Sequence, residues 1–206
     1  MFTGIIKHIG RIDSIEHYEG NISLWILADI MDEIQIDQSI AHNGICLTVD
    51  ALNGKLYRVT SIAETIQKTS IADWEIGQSI NLELCLKLGD RLDGHIVQGH
   101  IDTIGYCEEI IEKNGSYNVR FSYTPEFGAL IIEKGSIAID GISLTCHSLA
   151  NHEFTVSIIP FTWAHTCAQY WLKGSKVNLE FDLLGKYLQR QWRLTTKGEE
   201  DIPNNS

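Results

Sequence analysis

The chain is short of the features that mark several large functional classes. Lysine and arginine number 16 against 27 aspartates and glutamates, a formal net charge of −11, and no basic cluster interrupts the excess. Such a field repels phosphate backbones, which argues against nucleic acid as a partner. The five cysteines, Cys46, Cys85, Cys107, Cys146 and Cys167, are an odd number with no C-x-x-C pair. That excludes a disulfide framework and a zinc ribbon, and fits free thiols in a reducing compartment. No apolar run approaches the roughly 20 residues of a membrane span, and no basic segment followed by an apolar stretch opens the chain. A soluble, cytoplasmic protein is expected, with no membrane partner. G-x-G-x-x-G, P-loop and G-x-S-x-G patterns are all missing, so dinucleotide, phosphoryl-transfer and serine-hydrolase chemistry lack their marks. No metal is expected either, since His95 and His100 have no third ligand at a recognisable spacing. Only three prolines occur. The 206 residues, 44% of them apolar, suffice for two domains of about 100 residues each.

What the chain has is a copy of itself. Ser39-Ile40-Ala41-His42-Asn43-Gly44-Ile45-Cys46-Leu47-Thr48 returns 97 positions later as Ser136-Ile137-Ala138-Ile139-Asp140-Gly141-Ile142-Ser143-Leu144-Thr145. The register holds without a gap from Ser39 to Glu83, with 17 identities in 45 positions, Trp74/Trp171 and Asn81-Leu82-Glu83/Asn178-Leu179-Glu180 among them. Further upstream, Gly4-Ile5-Ile6 and Gly10 correspond to Gly99-His100-Ile101 and Gly105, at an offset of 95. The unit is too long for a solenoid repeat. A duplicated domain implies two copies of one pocket, and so a protein that handles two similar molecules.

Ser79–Leu84, Tyr117–Ser122 and Phe154–Ile158 alternate apolar and polar residues, the period of half-buried strands. Asn53-Gly54 and Asn114-Gly115 supply tight turns. The pattern predicts two small antiparallel barrels. Residues 63–73 and 160–170 read as equivalent short helices, the second opened by Pro160. Gly89 to Gly94 is the polar junction. Leu183, Leu184, Tyr187, Leu188 and Trp192 form an amphipathic stripe with no counterpart in the first copy, suited to helix-to-helix association of subunits. The expected organisation is residues 1–95 and 96–182 as the two barrels, 183–193 as the association helix and 194–206 as a disordered polar tail.

Chemistry is sought where the copies differ. Cys46 aligns with Ser143, and each precedes a Leu-Thr pair, so Cys46 with Thr48 and Ser143 with Thr145 share one strand face while Leu47 and Leu144 turn inward. His100 stands opposite Ile5, between glycines that let backbone approach a flat ligand.

These residues carry a resemblance. Met1-Phe2-Thr3-Gly4-Ile5-Ile6, the two Gly-Ile-(Cys/Ser)-Leu-Thr segments, Gly94-His95-Ile96-Val97-Gln98-Gly99-His100 and Lys176-Val177-Asn178-Leu179-Glu180, in order and at the right spacing, resemble the riboflavin synthase family of alpha-subunit, lumazine-binding-repeat type. The resemblance runs from Met1 to about Arg190 and implies two tandem six-stranded antiparallel Greek-key barrels plus a C-terminal helix. It implies a transferase that converts two molecules of 6,7-dimethyl-8-ribityllumazine into riboflavin and 5-amino-6-(D-ribitylamino)uracil, without a cofactor. It also implies a homotrimer joined through the C-terminal helices, with the active site shared between neighbouring chains, and lumazine synthase as a candidate partner.

Carried over residue by residue, the family's substrate contacts fall on Gly4, Ile5 and Ile6; on Cys46 and Thr48; on Thr60, Ser61, Ile62, Ala63, Glu64 and Thr65; on Gly99, His100 and Ile101; on Lys134; on Ser143, Leu144 and Thr145; and on Ile159, Pro160, Phe161, Thr162, Trp163 and Ala164. The resemblance makes His100 the expected base or proton relay, Cys46 or a nearby water the group adding at C7, Ser143 its counterpart and Asp182 an orienting group. The rival reading is a non-catalytic lumazine or flavin antenna protein of the same duplicated fold.

Overall fold

The computed structural model describes residues 1–200, with side chains as far as 196. The first repeat holds β1 (His8–Tyr18), β2 (Asn21–Leu27), β3 (Ser39–His42), β4 (Ile45–Asn53), β5 (Leu56–Ser61) and β6 (Ser79–Leu84). The second holds β7 (Thr103–Lys113), β8 (Ser116–Ser122), β9 (Ser136–Ile139), β10 (Ile142–Ala150), β11 (Glu153–Ile158) and β12 (Lys176–Phe181). Each set closes into an antiparallel barrel, in the orders β1-β2-β5-β4-β3-β6 and β7-β8-β11-β10-β9-β12. Closure leaves no unpaired edge, which a six-stranded sheet of this size otherwise exposes. The predicted pair of barrels is thus the observed architecture.

Alternation fills each barrel. Ile12, Leu24, Ile26, Val49, Val59 and Leu82 are buried in the first, and Cys107, Val119, Phe121, Phe154, Val156 and Leu179 in the second. Even the irregularities repeat, since β1 bulges at Ile12/Ser14 and β7 at Cys107/Glu109. Two helices, α1 (Ala63–Lys68) and α2 (Pro160–His165), occupy the equivalent places expected, but each is shorter than its sequence pattern. Thr69 and Thr166 break them: each hydroxyl accepts from the backbone N–H two residues on, starting a separate 3₁₀ turn at Ser70–Asp73 and Cys167–Tyr170.

The barrels meet across an approximate twofold axis. The turns at Asn43-Gly44 and Asp140-Gly141 have φ of 43° and 81°, and of 46° and 79°, the left-handed pairs of a type I′ hairpin. They lie against each other so closely that a Cβ on Gly44 would sit 2.8 Å from the Gly141 nitrogen. Asn81 Nδ2 donates to the Asp140 carbonyl and Asn178 Nδ2 to the Asn43 carbonyl, both at 2.9 Å. A cavity of about 710 Å³ opens beside this axis, lined by Trp74, Asp140, Cys167 and Trp171 among others. Its polar walls are the barrels' own hydrogen bonds, and it contains none of the expected site residues.

The segments ahead of β1 and β7 cross over. Phe2 and Val97 pair antiparallel, with N–H to O distances of 2.7 and 3.1 Å. Beyond that bridge each segment lies on the opposite barrel: Ile101 joins the first core and Ile6 packs against the second.

The C-terminal helix α3 (Leu183–Glu200) is longer than the apolar stripe suggests. Residues 194–200 of the expected disordered tail are helical, and within them Thr195 and Thr196 return their hydroxyls to the carbonyls of Gln191 and Trp192. Residues 201–206 of that tail lie outside the described residues. Leu184, Tyr187, Leu188 and Trp192 stand exposed along α3. No helix among the described residues is long and apolar enough to cross a membrane.

Candidate functional site

On β4 the alternation turns Ile45, Leu47 and Val49 into the core and leaves Cys46, Thr48 and Asp50 outward. The wall facing Cys46 comes from the other repeat. Cys46 N donates to Gly99 O at 2.9 Å, and a Cβ on Gly99, whose φ is +83°, would lie 2.5 Å from Cys46 Cβ. Only glycine permits both the conformation and the approach. Ile45, Cys46, Glu64, Thr65, Gly99, His100 and Ile101 line a cavity of about 230 Å³. Six residues expected from the resemblance are thereby gathered from three separate segments. Burial pushes the Cys46 thiol up, against a hydrogen bond from Ser39 that lowers it. Cys46 is therefore a neutral thiol near pH 7, a weaker nucleophile than a thiolate.

The second face mirrors the first. Ser143 N donates to Gly4 O at 2.8 Å, and a Cβ on Gly4, at φ +77°, would fall 2.6 Å from Ser143 Cβ. Here a residue joins that sequence reasoning did not place in the site: His95 Nδ1 lies 2.7 Å from Ser143 Oγ in a hydrogen bond. His95 is buried, and its Nε2 has no partner. Burial lowers its pKa, while the charge of Asp182 pulls the other way. The ring is neutral near pH 7 and able to fix the Ser143 hydroxyl or exchange a proton with it. Comparing the repeats could not expose it, because an offset of 95 puts its counterpart ahead of Met1.

Two more unforeseen residues hold the crossed segments. Glu83 accepts from Thr3 N at 2.7 Å and Gly4 N at 2.9 Å. Glu180 accepts from Gln98 N at 2.7 Å, Gly99 N at 2.9 Å and His100 N at 3.1 Å. Burial raises both carboxyl pKa values and these N–H donors oppose the rise. Their signal in the sequence is the pair of identical Asn-Leu-Glu triplets, which read as marks of duplication rather than as anchors.

The remaining expected residues are more dispersed. Thr60 Oγ1 donates to Asp50 Oδ2 at 2.6 Å, and the Ser61 hydroxyl is buried without a partner. Ile62 is exposed just before α1, which Ala63 begins. In the second repeat Ile159, Pro160, Phe161 and Ala164 are exposed, while the Trp163 ring stacks on Tyr117 at 3.9 Å. Thr162 offers its carbonyl to the Thr166 hydroxyl at 2.8 Å. Thr145 is exposed beside half-buried Leu144. Lys134 has a left-handed φ of 64° and ties its N–H to the Cys146 carbonyl at 2.9 Å. Ile5 lines a different cavity, of about 500 Å³, with Lys7 and His8. Asp182 accepts from Leu184 N at 2.9 Å at the start of α3.

Two closed barrels of one topology, each lending its leading segment to the other's polar strand face, define a tandem lumazine-binding protein. The lumazine binding domain model matches residues 3–85 and again 98–182. Riboflavin synthase of Actinobacillus pleuropneumoniae is 38% identical over 208 residues, covering 100% of this chain and 96% of that protein. Riboflavin synthase of Bacillus subtilis is 37% identical over 92% of this chain and 89% of its own length. The chain belongs to the riboflavin synthase family. The fold is shared with the crystal structure of LumP complexed with riboflavin, at TM-score 0.83 and 23% identity, covering 88% of this chain and 99% of that one.

Proposed function

We propose that this chain is a riboflavin synthase: it takes two molecules of 6,7-dimethyl-8-ribityllumazine and passes a four-carbon unit from one to the other. The products are riboflavin and 5-amino-6-(D-ribitylamino)uracil. The observation that carries this reading is that both half-sites are furnished. Cys46, Thr48, Gly99 and His100 serve one, and Gly4, Ser143, Thr145 and His95 the other. A protein that merely stored one heterocycle would need only one of them.

Within this reading the ribityl chains bond to the Thr and Ser hydroxyls, and backbone at Thr60–Thr65 and Ile159–Ala164 reads the pyrimidinedione edge. The C7 methyl protons of the lumazine are acidic because the anion delocalises into the ring, so His100 is base enough to take one. The neutral Cys46 thiol favours water over sulfur as the group that adds reversibly at C7. Ser143, oriented by His95, performs the matching task, Asp182 acts on it through His95, and Lys134 is a further substrate contact. Holding two rings face to face supplies much of the acceleration, up to roughly 7 to 11 kcal/mol. The exposed stripe on α3 supports association of three chains, which brings the first barrel of one chain to the second barrel of its neighbour, in a cytoplasmic enzyme. Lumazine synthase is the candidate partner.

Incubating the purified protein with 6,7-dimethyl-8-ribityllumazine alone tests the reading. Riboflavin forms, with one pyrimidinedione for each flavin. Stoichiometric binding without turnover would instead identify an antenna protein.

A further inference from the structure

Glu83 and Glu180 grip the two crossed segments alike, but their charge is compensated differently. In the first segment the cation is local: Lys7 draws the Glu83 carboxyl down against the effect of burial. The equivalent residue of the second segment is Asp102, of opposite sign. Asp102 Oδ2 accepts from Phe181 N at 2.8 Å and lies 2.6 Å from Nζ of Lys186, in the first turn of α3. The Lys186 and Asp102 side chains are 22% and 18% exposed, the most enclosed ion pair among the described residues. Lys186 also draws down Glu180, which Asp102 pushes up. One helix cation thus serves two carboxylates, one holding the amides of Gln98, Gly99 and His100, the other following Ile101 directly. An enclosed pair of this kind is lost at greater cost than a solvated surface pair.

We infer that Lys186 is a positioning residue: through Asp102 and Glu180 it fixes the 98–102 segment, with Gly99 and His100, against Cys46, so that the seating of α3 sets the geometry of the first half-site. Among the described residues the first segment, carrying Lys7, makes no ion pair with the helix. A change at Lys186 therefore reaches the Cys46 cavity through an ion pair, whereas Ser143 meets the start of the helix only through the charge of Asp182 on His95. For its effect on turnover, the inference rests on reading the Cys46 cavity as a substrate pocket; for its effect on the thiol it rests on geometry alone.

Lys186→Met and Asp102→Asn in the full chain test it, with iodoacetamide labelling of Cys46 followed by peptide mass, which separates Cys46 from Cys85. Turnover, KM and assembly state are measured on the same preparations. Both variants raise the Cys46 alkylation rate at least about fivefold and lower kcat more than they raise KM. The double variant is no worse than Lys186→Met alone, and Lys186→Arg keeps both readouts near the parental values. Parental alkylation rates and kcat in both single variants would overturn the inference, as would losses that multiply in the double variant. Should Lys186→Met fail to assemble, Asp102→Asn decides by the same readouts, since its side chain lies off the helix and still accepts from Phe181. If no preparation, parent included, turns over lumazine, the functional reading fails and the thiol rates still judge the tie.

Discussion

In the first barrel a buried histidine, His42, places Nε2 2.9 Å from the Tyr57 hydroxyl. At the same two places the second barrel has Ile139 and Phe154, both buried. At the turns on the twofold axis, Asn43 goes with Ser70, whose hydroxyl accepts from Trp74 Nε1 at 3.1 Å. Its counterpart Asp140 goes with Cys167, and Trp171 Nε1 turns instead to Asp140 Oδ2 at 2.9 Å. In both cases one change is matched by a neighbouring one, so that the Tyr57 hydroxyl and both indole N–H groups keep a partner, while His42 Nδ1 has none. At the expected substrate contacts the matching is uneven: the Glu64–Lys68 ion pair gives way to Phe161 stacked on His165, and Ser143, in place of Cys46, takes His95 as its companion. His100 against Ile5 is the difference for which the side-chain contacts above show no such exchange. Drift inside a duplicated fold is largely compensated pairwise, so a polar side chain that replaces an aliphatic one without a companion points to a ligand as its partner.

The largest expected effect tests the shared geometry. Gly99→Ala forces a methyl into Cys46 at a left-handed φ, and turnover falls about 100-fold or more, while Gly20→Ala, with nothing within 4 Å of its Cβ, leaves turnover unchanged. Equal turnover in the two variants would remove Gly99 from the site.

The core pair comes next. Burial holds His42 at about 4 in place of 6.5, so the folded ring stays neutral while the unfolded chain takes up a proton. The neutral ring's contribution is intact above pH 6.5 and is lost as pH falls toward 4, by roughly 3 kcal/mol in total. The double variant His42→Ile with Tyr57→Phe, which writes the second barrel's pair into the first, flattens that acid limb in urea titrations. An unchanged limb would place the titration elsewhere.

Asp140→Asn leaves the Trp171 indole N–H without its carboxylate and costs about 1 to 3 kcal/mol. Adding Cys167→Ser, the first barrel's companion residue, recovers much of the loss. Burial holds Asp140 at about 7, above the ordinary carboxylate range of the unfolded chain. The stability tied to its protonated form is complete below pH 3.8 and disappears as pH rises through about 7. Asp140→Asn therefore shrinks the fall in thermal midpoint between pH 6 and pH 8; a slope equal to the parent's would contradict the assignment.

The smallest effect is expected of Cys46→Ser, which gives the first half-site the second's side chain and lowers kcat less than about 10-fold. A loss approaching that of Gly99→Ala would restore sulfur as the adding nucleophile.

Much of the fold was legible because alternation and duplication reinforce each other: each strand read in one repeat could be checked against its image in the other. The candidate site was legible where the repeats differ, at Cys46, Ser143 and His100. Three things were not. His95 has no image in the first copy to contrast with it. Glu83 and Glu180 are identical, so a comparison of differences passes over them. The crossing of the segments is a long-range choice: Gly4 and Gly99 fit either barrel by pattern alone, and only the meeting of Phe2 with Val97 decides which. The ends of α1 and α2 depend on single threonine hydroxyls, below the reach of hydrophobic periodicity.

That crossing also bears on descent. A solitary ancestral half would have carried one leading arm, one carboxylate to grip it and one turn to face its like. The carboxylate grips the arm of its own half, but with the arm reaching on to the opposite barrel, arm and turn find their counterparts only between two halves. Two separate copies of one such half would meet in the same way, and the loop from Gly89 to Gly94 is where this chain joins them.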